Sequence, residues 1–172
     1  MKPLAGVLAT IAGFALAAAS LPAQMRHDAH ASSAAFEKIK SLAGEWDGKN
    51  ARGPVRAKYE VVSGGNTVME TLQPQGESTM ITMYHLDGGK LMMTHYCSSG
   101  NQPRMKAGAL RADGKQVAFK FQDATNLASA GAGHMVALTL TFTDADHLTQ
   151  LWTWQEKGQA AAAEDFTFVR RK

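Results

Sequence analysis

The chain has 172 residues, of which 45% are apolar, 8% aromatic and 19% charged, enough to bury one core of ordinary size. Eighteen Lys and Arg against fifteen Asp and Glu give a formal net charge of +3 with no basic tract, which argues against nucleic-acid binding as the main function. A single cysteine excludes an internal disulfide framework and any CxxC-type zinc or redox motif, and sixteen Gly with five Pro are too many for a simple helical bundle.

The N-terminal residues have the pattern of a secretory signal peptide. Lys2 precedes an uncharged run from Leu4 to Ala18, and residues 17–19 are the small alanines that signal peptidase requires before its cut. The run is shorter than the about 20 apolar residues of a membrane span, so we expect no span after cleavage. We predict a signal peptide at 1–19, a flexible tether at 20–35 and a folded domain at 36–172, exported to the periplasm or secreted.

A short helix and a series of strands follow in chain order. Phe36, Ile39 and Leu42 recur at spacings of three, which predicts a helix that ends at Gly44. After Trp46 the apolar period becomes two, and short turn signals separate the strand-like segments. Besides a short piece at Trp46, the predicted strands are 55–62, 67–72, 79–86, 91–97, 104–111, 116–122, 135–143, 148–155 and 164–170.

About ten strands joined by tight turns predict an all-β antiparallel meander and exclude a parallel sheet, which needs long crossovers. Because closure removes exposed sheet edges, we expect an up-and-down barrel with the helix closing one end. The strands alternate, as in the segment with Leu138, Leu140 and Phe142 on one face and threonines on the other. The pattern alone leaves open which face points inward.

Two segments carry a resemblance to a known superfamily. Gly44-Glu45-Trp46 directly after the helix, together with the last strand Phe166-Thr167-Phe168-Val169-Arg170, resembles the lipocalin and fatty-acid-binding (calycin) superfamily. The resemblance implies a barrel with a ligand cavity, in which Arg170 covers the indole of Trp46 and closes one end. It carries over no catalytic residue. The stretch from Met83 to Met105 is similar to a family of exported bacterial proteins with a lipocalin-like domain.

One subgroup of ten-stranded barrels, the nitrobindin-like proteins, binds ferric haem through a histidine late in the chain. This sequence departs from that pattern, because the last strand has no histidine and the nearest candidate, His147, lies beside a turn. We therefore predict no cofactor, and keep haem as an alternative.

Aromatic and polar side chains on the strands are candidate ligand contacts. Trp152 and Trp154 are two apart, so they share a face on which a flat ligand could stack or the core could pack. Arg104 could bind a carboxylate bidentately or form a surface ion pair. The predicted ligand-binding residues are Tyr84, His95, Arg104, Trp152 and Trp154.

A soft-metal site is a second alternative, because thioether and thiolate ligands suit Cu(I). A two-residue loop at Gly88-Gly89 would bring Met80, Met93, His95 and Cys97 to one face. A three-residue loop would instead align His85 and Met83 with His95. His95 beside Cys97 could also activate a thiol nucleophile, but the sequence places no third member, and no motif gives positive support for an enzyme.

We expect an exported lipocalin-like protein that binds a small apolar or amphipathic, lipid-like molecule in the barrel lumen. The alternatives are a haem- or soft-metal-binding periplasmic protein, and an interaction module whose interior is filled by its own side chains. The oligomeric state is left open by the sequence.

Overall fold

The computed structural model of the protein describes residues 34–172. The predicted signal peptide and most of the predicted tether lie outside the described residues. Across residues 34–172, the structure has no helix with the length and apolar character needed to cross a membrane.

The predicted helix, α1, is present over residues 34–40. Ala35, Phe36, Ile39 and the following Leu42 are buried against the barrel core. The helix therefore begins two residues before the predicted end of the tether, because residues 34 and 35 are helical and Ala35 is fully buried.

Ten strands follow, as predicted. They are β1 (Gly44–Asn50), β2 (Gly53–Val62), β3 (Thr67–Pro74), β4 (Met80–Asp87), β5 (Lys90–Tyr96), β6 (Gln102–Ala107), β7 (Gln116–Thr125), β8 (His134–Phe142), β9 (His147–Gln155) and β10 (Ala162–Arg170). Each strand pairs antiparallel with its neighbours in sequence, and β1 pairs with β10, which closes the barrel. The prediction of a closed ten-stranded meander barrel is confirmed.

Burial settles which face of each strand points inward. Leu138, Leu140 and Phe142 of β8 are buried inside the barrel, and the threonines between them face out. The same alternation places apolar side chains of all ten strands in one core.

The barrel has two chemically different ends. At the first, which we call the closed end, α1 lies beside the start of β1 and the end of β10. At the second, the open end, lie the β1–β2 turn and the loops 75–79, 97–101, 126–133 and 156–161.

Trp46 and Arg170 hold the closed end together. They are directly paired across β1 and β10, and the Arg170 guanidinium carbon lies 4.2 Å from the Trp46 ring centroid. The Trp46 indole donates to the Leu42 carbonyl oxygen at 2.9 Å, and Arg170 donates to the Ser41 and Ala43 carbonyl oxygens at 2.9 and 2.8 Å. Arg170 thus satisfies carbonyls left free where α1 ends, as well as covering the indole.

Candidate functional site

The β4–β5 hairpin fixes the register on which the candidate site depends. Leu86 pairs with Leu91 and Thr82 with His95, so the loop has the two residues Gly88 and Gly89. The three-residue alternative is wrong. Met80, Met93, His95 and Cys97 therefore share the inner face, whereas His85 lies on the outer face, where its ring contacts the Leu86 carbonyl.

A buried polar network crosses the middle of the barrel. Glu70 of β3 accepts hydrogen bonds from the hydroxyl of Tyr59 at 3.0 Å and from that of Tyr84 at 2.6 Å. Gln150 of β9 donates to the same carboxylate and to the Tyr59 hydroxyl, and its own carbonyl accepts from the Trp152 indole at 2.8 Å. The network thereby ties strands from opposite sides of the barrel to one carboxyl group.

Burial is the main influence on the pKa values of the groups in this network. It raises the pKa of Glu70, although the three donors that stabilise its charged form act in the opposite direction. Burial and the nearby Glu70 carboxyl also raise the pKa of Tyr59 and of Tyr84. The tyrosines therefore stay protonated and act as donors to Glu70.

His95 lies above this network, toward the open end, and its burial keeps it neutral. Its Nδ1 is 2.9 Å from the Thr82 hydroxyl, and its ring is 4.5 Å from the ring of Trp152. Burial lowers the pKa of His95 to about 4. Its Nε2 is buried and has no hydrogen-bond partner among residues 34–172.

Asn101 is the second buried polar group at this end. Its amide nitrogen donates to the Gly133 carbonyl at 3.0 Å, and its Oδ1 is buried without a partner in the described part of the chain. Gly133 lets the Trp154 ring approach closely, because a Cβ at this position would lie 2.2 Å from Cζ2 of Trp154. Asn101, Gly133 and Trp154 thus pack together at the open end.

A recess of about 510 Å³ lies beside these residues. Its lining combines Trp152, Trp154 and Met135 with the charged Arg52, Glu164 and Asp165. Arg52 donates to Glu164 at 2.5 Å and to Glu77 at 2.7 Å, so one guanidinium bridges two carboxylates at the rim. The recess therefore has an aromatic wall and a rim where the positive charge is already matched.

The structure brings most of the predicted ligand contacts together. Tyr84, His95, Trp152 and Trp154 all lie on the inner face. Tyr84 and Trp152 belong to the Glu70 network, His95 packs on the Trp152 ring, and Trp154 lines the recess. Arg104 does not join them. It lies on the outer face of β6 and donates two hydrogen bonds of 2.6 Å to Asp123, so the surface-pair interpretation describes its position.

The structure brings only some of the candidate soft-metal ligands together. Met80 and Met93 are buried on the inner face with His95, and Cys97 is half-buried beside the core. Within residues 34–172, no three His, Cys, Asp or Glu side chains are grouped so as to hold a metal ion, so such a site would need methionine ligands.

Several residues of the site were missed by sequence reasoning. They are Tyr59 and Glu70 in the network, and Arg52 and Glu164 at the open end. A signal existed for Glu70, since it alternates with Val68 and Leu72 and so has inward parity.

Comparison with known proteins identifies the fold. No family model matches the chain, and no curated protein matches its sequence. A solved structure of Rv2717c from M. tuberculosis is similar with a TM-score of 0.54 at 15% identity, covering 80% of this chain and 98% of that one. The S-type phycobiliprotein lyase CpeS from Guillardia theta is similar with a TM-score of 0.52 at 11% identity, covering 88% and 99%. These likenesses show the fold alone, which is a closed antiparallel barrel.

Proposed function

We propose that this chain is an exported lipocalin-like protein that binds one small amphipathic molecule at the open end of its barrel. The observation that carries the proposal is the recess of about 510 Å³ beside Trp152 and Trp154. Its volume lies within the range of about 300 to 1,000 Å³ that is usual for small-molecule sites. Export is supported by Lys2 and the uncharged run that follows it.

We propose the open end and not the lumen as the binding site because of how the interior is packed. From α1 up to the level of Trp152, the inner faces are filled by buried apolar side chains and by the Glu70 network. A ligand in that volume would have to displace well-packed side chains, each worth a few kcal/mol. The recess beside Trp154 needs no such displacement.

The lining indicates the chemistry of the ligand. The indoles of Trp152 and Trp154 and the Met135 side chain suit a flat apolar group. Arg52 is already shared between Glu77 and Glu164, so an anionic ligand would compete with two carboxylates. A neutral molecule with one hydrogen-bonding end therefore fits best. The likeness to a phycobiliprotein lyase is consistent with a small-ligand function for such a barrel.

The experiment combines native mass spectrometry of the exported protein with titration by a neutral fluorescent probe, N-phenyl-1-naphthylamine. We expect a reproducible adduct, and at least tenfold weaker probe binding in the Trp154→Ala variant. The matched control is Tyr96→Ala, which removes an exposed aromatic ring at the same end but on the outer face. An apo mass together with equal probe binding by both variants would contradict the proposal.

A Cu(I)-binding function is the second candidate, and the hairpin register favours it. His95 has its Nδ1 occupied by Thr82, which leaves Nε2 as the coordinating atom, and Met80 and Cys97 share its inner face. Titration with Cu(I) against a chromophoric competitor tests it. His95→Ala should lose at least tenfold in affinity, whereas His85→Ala, on the outer face, should not. Equal affinities of the two variants would remove this candidate.

A further inference from the structure

Two buried polar atoms at the open end have no hydrogen-bond partner among residues 34–172. They are Nε2 of His95 and Oδ1 of Asn101. His95 is 1% exposed and Asn101 is 5% exposed, so solvent does not satisfy either atom at the surface. A buried polar atom left unpaired is destabilising, and native folds keep few of them. Both atoms are therefore candidates for bonding to a ligand.

The strand register makes His95 and Asn101 neighbours on the inner face. Thr94 of β5 pairs with Arg104 of β6. The Cys97 N–H donates to the Asn101 carbonyl at 3.2 Å, so the pairing continues past the ends of both strands. Asn101 is thus one diagonal step from His95, a spacing of about 7–8 Å across which side chains on one face still meet. One polar group of a ligand can therefore bond to both.

Each of the two side chains is also linked to an indole that lines the recess. The rings of His95 and Trp152 have their centroids 4.5 Å apart. The Asn101 amide donates to the Gly133 carbonyl, and Gly133 in turn lies against the Trp154 ring. The unpaired atoms therefore lie next to the aromatic wall of the recess, where the polar end of a molecule packed on that wall would be.

Solvent reaches the inner face close to His95. Cys97 shares the inner face with His95 two positions along the chain, a spacing of about 7 Å, and is only half-buried. Met135, which lines the recess, is also only partly buried. Its side chain is unbranched and flexible, so it can move aside at little cost in packing. The polar end of a ligand therefore has a short way to go from the recess.

Asn101 determines what kind of group can bond there. Its amide nitrogen already donates to Gly133, so Oδ1 only accepts and the ligand must donate. In neutral His95 one ring nitrogen carries the hydrogen. When the Thr82 hydroxyl donates to Nδ1, that hydrogen is on Nε2. A hydroxyl group suits both positions, whereas a carboxylate, ketone or ether oxygen would leave Oδ1 unpaired.

We propose that the ligand of the recess is a flat apolar alcohol or phenol whose hydroxyl bonds to His95 and Asn101. The hydroxyl donates to Oδ1 of Asn101 and accepts from Nε2–H of His95. The apolar part packs on the indoles of Trp152 and Trp154. This inference rests on the proposed small-molecule function and adds to it the chemical class of the ligand.

Three neutral probes with the same fused rings test the role of the hydroxyl. The probe 2-naphthol donates a hydrogen bond, 2-methoxynaphthalene only accepts one, and naphthalene has no polar atom. Each displaces N-phenyl-1-naphthylamine from the exported protein, and the loss of fluorescence gives its affinity. We expect 2-naphthol to bind about tenfold or more tightly than the other two, because they leave Oδ1 of Asn101 unpaired. Naphthalene is the smallest probe, so its weak binding cannot be due to size.

Paired variants assign this preference to the two side chains. His95→Phe keeps an aromatic ring beside Trp152, and Asn101→Leu keeps the size of the side chain, but each removes one bonding atom. Each should lose most of the preference for 2-naphthol. The matched controls are His85→Phe and Gln102→Leu, which change a histidine and an amide on the outer face. Both controls should keep the preference.

The outcomes separate this inference from the proposed function. Equal binding of the three probes, with all three weakened by Trp154→Ala, overturns the hydroxyl assignment and keeps the recess as the binding site. Failure of every probe to bind overturns both. The nitrogen NMR signals of the histidine rings in the unmodified protein test the inference even if a variant does not fold. A shift of the His95 Nε2 signal with 2-naphthol and not with naphthalene supports it, and an unchanged signal overturns it.

Discussion

The two ends of the barrel use similar residues for opposite purposes. At the closed end, the Trp46 indole and the Arg170 guanidinium bind backbone carbonyls and contact each other. At the open end, Trp154 lines a recess and Arg52 bridges two carboxylates, while Nε2 of His95 and Oδ1 of Asn101 are buried without partners in the described chain. Complete pairing marks the end that stabilises the fold, and incomplete pairing marks the end at which we propose a ligand binds.

The largest expected difference is in the free energy of unfolding, between variants of Trp46 and of Trp154. Trp46→Ala should lower the free energy of unfolding by about 3–5 kcal/mol, because the indole is 1% exposed and closes the core. Trp154→Ala should lose about half as much or less, since its ring is only partly buried. Urea denaturation followed by circular dichroism measures both. Equal losses would contradict a division between a structural and a functional end.

The pH dependence of stability sharpens the description of the open end. The folded pKa of His95, about 4, lies below its ordinary value of 6.5. Its contribution to stability is therefore present above pH 6.5 and is lost as pH falls toward 4, by about 3 kcal/mol. Glu70 acts in the opposite sense, because its raised pKa favours the protonated folded state at low pH.

His95→Gln isolates the histidine contribution, since Glu70 titrates in both proteins. Urea midpoints between pH 7 and 4 should fall less in His95→Gln than in the unmodified chain. His85→Gln, on the outer face, is the control and should keep the full slope. A slope unaffected by His95→Gln would show that the imidazole does not stay neutral in the fold.

Variants of Arg170 and Arg52 should differ in stability by a smaller amount. Arg170→Ala should lose about 1–3 kcal/mol, because the variant leaves carbonyls of Ser41 and Ala43 without their donor and uncovers Trp46. Arg52→Ala should lose less than about 1 kcal/mol, because its ion pairs are solvent-exposed. Thermal unfolding of the two variants side by side measures this. A larger loss for Arg52→Ala would reverse the roles given to the two ends.

The smallest effect is expected at the rim of the recess. Glu164→Gln should change stability by about 0.5 kcal/mol or less, since Asn50 and Arg52 can still bond to its carbonyl oxygen. It should nevertheless alter the affinity for an anionic probe, because the substitution frees part of the Arg52 charge. A titration of this variant against the unmodified chain with anilinonaphthalene sulfonate measures that change. Unchanged binding would place the ligand away from Arg52.

The strand count and the closure were predictable because both rest on local patterns. No connection between consecutive strands exceeds eight residues, and the period of two is interrupted by register shifts at Arg104/Met105 and Met135/Ala137, so neighbours in sequence were the expected partners. The outward position of Arg104 was readable in the same way, since Pro103 and Met105 on either side are the apolar members of β6. Treating Arg104 as a ligand contact overlooked that alternation.

Partners across the barrel could not be predicted. Gln150 reaches Glu70 only because closure places β9 opposite β3, and the two residues are 80 positions apart in the chain. The recess likewise combines the β1–β2 turn with residues of β8, β9 and β10. Side-chain period identifies which face a residue occupies, but the curvature of the closed sheet decides what it meets there.

The pairing of β1 with β10 has a consequence for how the chain reaches its folded state. Every other strand pair joins neighbours in sequence, whereas this pair joins residues such as Trp46 and Arg170 from the two ends of the domain. Loop-closure entropy makes such a contact the slowest to form. A polypeptide that ended at Gln155 would expose two sheet edges, β1 and β9, to neighbouring chains. Strand β10, residues Ala162–Arg170, therefore decides whether the sheet closes or keeps two edges open to aggregation.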